Sequence, residues 1–236
     1  MTTRDHRFAG FTPEAIDFLA DLAQNNDRAW FTPRKATFER LLKAPMEALV
    51  TELAERFAAN DIPLLADPKR SIFRIHRDTR FAKDKSPYKT HLAAGFRWID
   101  DRTGPDGIDQ GAHAGGGYVQ LEPGNPYVGG GLWMPERPRL EAFRRAVVEE
   151  PDRVDAALDD PGFVAEFGGL MAHEHYKRVP PGWPADHPRA DLLRYKDLAF
   201  GRRLADDEVY SPDLPDIITR AYLAAMPVFR FLATLH

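Results

Sequence analysis

The sequence predicts an α+β protein: a mainly antiparallel central sheet with helices packed before and after it. Three observations predict it. Apolar residues recur at helical spacing at both ends of the chain. In the middle they alternate with polar or small residues, as in strands with one buried face. Two of those runs flank Pro123-Gly124-Asn125-Pro126 and so read as a hairpin.

The elements follow in order. Thr12-Pro13-Glu14 supplies an N-cap, a proline for the first helical position and an early acid. Ala15, Phe18, Leu19 and Leu22 then mark a helical stripe, ended by Asn25-Asn26-Asp27. Thr32-Pro33 restarts the pattern, with Phe38, Leu41 and Leu42 on one stripe. Met46, Leu49, Val50, Leu53 and Phe57 continue it past Pro45, which should kink or restart the helix. Ser71 to His76 is expected as a strand, with Phe73 and Ile75 on one side and Arg74 and His76 on the other. Leu92, Ala94, Phe96 and Trp98 mark the next strand. Tyr118–Glu122 and Tyr127–Trp133 form the hairpin. Helices are expected around Leu140–Val148 and Val154–Leu158, a loop at Pro180–Pro188, a strand at Leu198–Leu204, and a terminal helix over Leu214–Leu235, kinked or interrupted at Pro227.

No repeat or linker divides the chain, so residues 1–236 read as a single domain, with 1–11 flexible and 100–114 a mobile, glycine-rich loop. There is no cysteine, which excludes disulfide frameworks, cysteine zinc sites, iron–sulfur clusters and a thiol nucleophile. The polar N-terminus is no signal peptide, and no run approaches the ~20 apolar residues of a membrane-spanning helix. A cytoplasmic protein with no membrane partner is expected. No nucleotide fingerprint is present, and no cofactor is expected.

The net charge of −4 argues against a general nucleic-acid coat, but it is unevenly spread. Lys69 to Lys89 holds eight basic residues and two acids, a net +6 that leaves −10 for the rest. Four of the chain's eight lysines fall in that stretch, where even spacing would place roughly 0.7. Guanidinium forks match carboxylate or phosphate in two contacts, and lysine adds a mobile point charge. Arg74, Arg77, Arg80, Lys85 and Lys89 are therefore the candidate ligand-binding residues. Lys177 and Arg178 form a second basic point. Asp78 would orient an arginine or, if partly buried, act as a general base, and Tyr88 is a candidate hydroxyl donor or stacking ring. The competing reading is a structural ion network in which Asp78 and Asp84 pair with neighbouring arginines.

Gly115-Gly116-Gly117 and Gly129-Gly130-Gly131 form a second feature. Glycine within strands marks a bulge or a close approach by a ligand or another backbone. The face carrying Tyr118, Gln120, Gly129, Gly131 and Trp133 reads as either a pocket floor or a bulged, twisted hairpin. His173-Glu174-His175 puts two imidazoles on one face if extended, but no third ligand stands at metal spacing. No metal site is expected.

Arg74-x-x-Arg77-Asp78-x-Arg80-Phe81, followed by Asp84-Lys85-x-Pro87-Tyr88, resembles the signature of the bacterial and fungal "domain of unknown function 2461" family. Asn25 to Phe31, Pro45-Met46, Gly129 to Trp133 with Pro135, and Lys177 to Gly182 extend the resemblance along the chain. His76 and Ala82 depart from it, standing where an aromatic and a small polar residue are expected. The resemblance implies a site at the signature and no particular chemistry. Three functions stay open. One is binding, with or without catalysis, of a small phosphate-bearing or otherwise anionic ligand. Another is binding of short single-stranded nucleic acid or an acidic protein, with Phe81 and Tyr88 stacking on bases. The third is an ion network without a ligand.

Overall fold

A computed structural model describes residues 7–80, 83–99, 115–171 and 173–235. The expected mobile loop at 100–114, and Phe81 and Ala82, lie outside the described residues. Before the sheet come α1 (Pro13–Gln24), α2 (Arg28–Phe31), α3 (Lys35–Phe38), α4 (Ala44–Ala59), the short strand β1 (Leu64–Leu65) and α5 (Pro68–Ser71). The strands β2 (Leu92–Trp98), β3 (Gly116–Leu121) and β4 (Tyr127–Leu132) follow. Next are α6 (Arg137–Glu149), α7 (Pro151–Leu158), α8 (Pro161–Phe167), β5 (Leu198–Arg203), α9 (Asp206–Tyr210), α10 (Leu214–Ala224) and α11 (Met226–Leu232). The strands form one antiparallel sheet in the order β1-β2-β3-β4-β5, so the fold is α+β.

Prolines set many of these boundaries. Pro13, Pro68, Pro151 and Pro161 stand in the first turns of α1, α5, α7 and α8, where a missing N–H costs nothing. Pro45 occupies the same position in α4. It is preceded by a π-helical turn, Glu39–Lys43, through which the chain passes from α3 into α4. Pro227 opens α11 after the break from α10.

The chain divides into two compact units. One comprises Met1–Phe96, Tyr118–Val128 and Arg203–Arg220. Its core holds Leu19 and Leu22 of α1, Leu42, and Met46, Leu49, Val50 and Leu53 of α4, all fully buried. The ring of Phe57 meets that of Phe96 edge-on at 5.5 Å. Of the stretch expected to be flexible, residues 1–6 lie outside the described residues, and 7–11 are packed down. Phe8 and Phe11 are buried against each other, the Phe8 N–H donates to the Glu52 carboxylate, and the Phe11 N–H donates to Val209 O. Two aromatic side chains carry enough apolar surface to pin a short terminal segment.

The other unit comprises Arg97–Gly117, Gly129–Arg202 and Ala221–His236. Phe200 of β5 is its hub, with edge contacts to Phe163 at 5.1 Å and Phe229 at 5.2 Å. Arg144 is buried in α6, where Nε and Nη2 donate to the carbonyls of Leu193 and Tyr195, and Nη1 pairs with Glu141.

Candidate anion site

The basic segment lies in the first unit, on two antiparallel arms. Ile72 bridges to Ala94 and His76 to Tyr88. Between and beyond them, Phe73 N–H donates to Ala93 O, Lys89 N–H to Ile75 O and Arg77 N–H to Pro87 O, each at 2.8–2.9 Å. This corrects the strand expected at Ser71–His76. Ser71 is instead the last residue of α5, its hydroxyl donating to Leu65 O, and the extended run beyond it pairs only at separate bridges. Ile75 is buried, whereas Phe73 is 45% exposed, so the two do not share a core face.

At the tip of the arms each acid closes its own turn. Asp84 Oδ1 accepts the Ser86 N–H at 2.9 Å and the Ser86 hydroxyl at 2.6 Å, while Oδ2 pairs with Arg77. These donors, Ser86 first and then Arg77, hold its carboxyl well below the usual range. Asp78 accepts the Arg80 N–H at 3.1 Å and takes the Arg80 guanidinium in a fork, at 3.0 Å from Nε and 2.7 Å from Nη2. Arg80 lowers the Asp78 pKa, and Asp78 raises that of Arg80. Lys85 Nζ donates to Thr79 O at 2.9 Å. Three of the predicted anion-binding residues, Arg77, Arg80 and Lys85, thus hold the loop.

Asp78 takes the first of its two expected roles, orienting an arginine, and Tyr88 is drawn into the core. Asp78 is exposed and bound to Arg80, so it lacks the partial burial that would make it a base. Tyr88 is only 4% exposed and stacks on Phe31 at 4.2 Å, which makes it a core residue. Asn26 grips its backbone from both sides: the Asn26 amide nitrogen donates to Tyr88 O, and Tyr88 N–H donates to Asn26 Oδ1, each at 3.0 Å.

Arg74 and Lys89 remain. Neither has an acidic partner within ion-pair distance among the described residues. Burial pushes the Lys89 pKa down, and the Arg74 charge pushes it further the same way. Lys89 Nζ sits 5.1 Å above the ring of Phe73, whose other neighbour is Tyr118 at 6.3 Å. The Tyr118 hydroxyl donates to Gln120 Oε1 at 2.7 Å, and burial first, then Glu122, raises its pKa to about 12. His91 is driven down by burial, with Glu122 opposing and Lys89 reinforcing. Phe73, His91 and Tyr118 were not foreseen at this site. Pairing of the arms brings Phe73 to Lys89, His91 follows Lys89 by two residues, and Tyr118 of β3 comes in against Phe73. Lys177 and Arg178 are exposed and belong to the second unit.

Three glycines of the triplets are explained by packing. A Cβ on Gly117 would lie 2.6 Å from the buried Tyr222 ring. One on Gly130 would lie 2.6 Å from Gly116 O and 2.7 Å from the Phe229 ring. Gly131 has φ +106°, and its Cβ would run into the Leu198 carbonyl of β5. The slot beside Gly131, read as part of a pocket floor, is filled by backbone. Lys196 pairs with Glu174 at 3.4 Å and covers the Tyr176 ring. Among the described residues no three His, Asp or Glu side chains are grouped to hold a metal ion. No described helix is long and apolar enough to cross a membrane.

A family model described as "Conserved hypothetical protein (DUF2461)" matches residues 14–231. No curated protein and no solved structure matches the chain.

Proposed function

The chain belongs to the DUF2461 family, whose description names no activity, and we propose that it binds a small phosphate-bearing or otherwise anionic molecule at Arg74 and Lys89. One observation carries this reading. A half-buried lysine is held near an arginine, and neither is in an ion pair among the described residues; the carboxylate that feels Arg74, Asp78, is already forked by Arg80, and Arg77 and Lys85 are held by Asp84 and a carbonyl. Crowding like charges in a partly desolvated place is unfavourable, and an anion between them relieves it. Arg74 supplies a planar fork and Lys89 a point charge. Phe73 and Tyr118 offer an apolar wall for the rest of the ligand.

Calorimetric titration with inorganic phosphate and with pyrophosphate tests this. Charge-assisted hydrogen bonds contribute about 1.5–3 kcal/mol each. Arg74→Ala and Lys89→Ala should therefore each weaken binding by about tenfold or more. Lys83→Ala, an exposed cation of the same loop, should leave it unchanged. Absence of binding by the wild type, or equal weakening by Lys83→Ala, would overturn the reading.

A further inference from the structure

The second unit holds a cluster that the anion reading does not use. Asp197 immediately precedes β5 and is 4% exposed. A buried carboxylate needs donors. Its Oδ1 accepts the Met134 N–H at 2.8 Å. That bond helps hold Met134 at φ +47°, a conformation non-glycine residues rarely take, just after β4 ends. The turn leaves Trp133 and Met134 51% and 66% exposed.

Asp197 Oδ2 faces His173 Nδ1 at 3.9 Å. The facing is built by backbone pairing: Tyr176 N–H donates to Arg194 O, His175 bridges to Tyr195, and Lys196 N–H donates to Glu174 O. One step further along this antiparallel register, His173 stands opposite Asp197. Alternation puts His173 and His175 on one face and Glu174, paired with Lys196, on the other. The His173 ring lies 4.9 Å from that of Trp133, and its side chain is half exposed. With Nδ1 turned to the carboxylate, Nε2 is the nitrogen that can meet a ligand.

We infer that His173 is an activated imidazole, with Asp197 as its positioning residue and Trp133 as a stacking wall, forming a site for ring-bearing acyl compounds. A carboxylate behind Nδ1 orients the ring and stabilises the cation that forms when Nε2 reacts. Such contacts are commonly long in unliganded proteins and tighten with substrate. With an aryl ester, Nε2 bonds to the carbonyl carbon and the bond from that carbon to the aryl oxygen breaks. The aryl oxide leaves with the electron pair, and the Nδ1 proton passes toward Asp197. Water then adds to the acyl carbon and the carbon–nitrogen bond breaks. Carboxylic acid is released and the imidazole regains its proton. The exposed Trp133 face receives the aryl ring.

Two probes test this on the full chain. In the first, diethyl pyrocarbonate acylates the histidines and mass mapping reads each rate. His173 should react about tenfold or more faster than His175, which shares its ribbon face but has the Tyr195 ring beside it instead of a carboxylate. Asp197→Asn, which keeps an oxygen for the Met134 N–H, should erase that advantage while the circular dichroism stays that of the wild type. In the second, hydrolysis of p-nitrophenyl acetate should fall about tenfold or more in His173→Ala, and imidazole added to that variant should restore it above the rate of imidazole and ester without protein. His175→Gln should leave it unchanged, and Trp133→Ala should raise KM with kcat kept. Equal acylation of His173 and His175, no change in Asp197→Asn, or hydrolysis untouched by His173→Ala would each overturn the inference.

Discussion

Lys89 shows how one residue's cost and use are linked. Its pKa is depressed by burial and then by Arg74, so in the free protein the charged form is disfavoured. The sign follows from linkage. Below the lowered pKa Lys89 is charged in both states, and folding carries the full cost of desolvation and repulsion. As pH rises from that pKa to the ordinary lysine value of 10.5, the unfolded chain holds more protons and the cost fades. Lys89→Met should therefore leave the free protein at least as stable as the wild type near neutral pH, while abolishing its stabilisation by phosphate. Urea unfolding with and without phosphate measures both, and a variant clearly less stable without phosphate would mean Lys89 is a structural cation. The cluster of cations was legible in the sequence, and so was the chance that Asp78 and Asp84 would capture some of them. That Arg74 and Lys89 would be among those left unpaired was not, because that depends on the pairing of two arms with a bend between them. Tyr88 was misread for the same reason: nothing adjacent to it announces that Asn26, 62 residues earlier, grips its backbone and that Phe31 covers its ring.

At the scale of elements, the hairpin β3–β4 shows why glycine runs mislead. Gly117, Gly130 and Gly131 read as space, but that space is already taken, by Tyr222, by Phe229 and by the neighbouring strand. Gly130→Ala tests this. Its methyl group would press on the Gly116 carbonyl and the buried Phe229 ring, neither the free end of a flexible chain. Overpacking of this kind costs about 1–3 kcal/mol. The variant should lose that much in denaturant unfolding without losing phosphate affinity; full stability would show that room exists at this glycine. Elements with strong local signals were read correctly. Thr12-Pro13 opened α1, the stripe ending at Phe57 marked α4, and Pro227 broke the last helix. Short helices were missed although their caps are present. Asp67-Pro68 opens α5 with the Asp67 carboxylate on the Lys69 N–H, and Asp160-Pro161 opens α8 in the same way on Phe163. One or two turns have too little apolar repeat to register as a helix, and at α5 the strand-like alternation from Ser71 onward masked the helix that ends there.

For the whole molecule, the uneven charge favours the proposed small ligand over a polymer. A +6 segment within a chain whose remainder carries −10 attracts one compact anion, but a long polyanion leaving the segment meets like charge. The side-chain pairing sharpens this, because Arg77 and Arg80 are already neutralised by Asp84 and Asp78. Arg74, Lys89 and the exposed Lys83 are the cations of the described arms left without a carboxylate or carbonyl partner, fewer than the several counterions whose release drives nucleic-acid binding. A labelled oligothymidylate should therefore show no measurable binding in anisotropy titrations at low salt, under conditions where pyrophosphate binds. Pyrophosphate affinity should fall only shallowly with salt, with a logarithmic slope of about one to two, as expected for a pair of contacts. Tight oligonucleotide binding with a slope of about four or more would mean that Arg77, Arg80 and Lys85 exchange their carboxylate and carbonyl partners for phosphates, and would make the loop a nucleic-acid surface instead of an anion clamp.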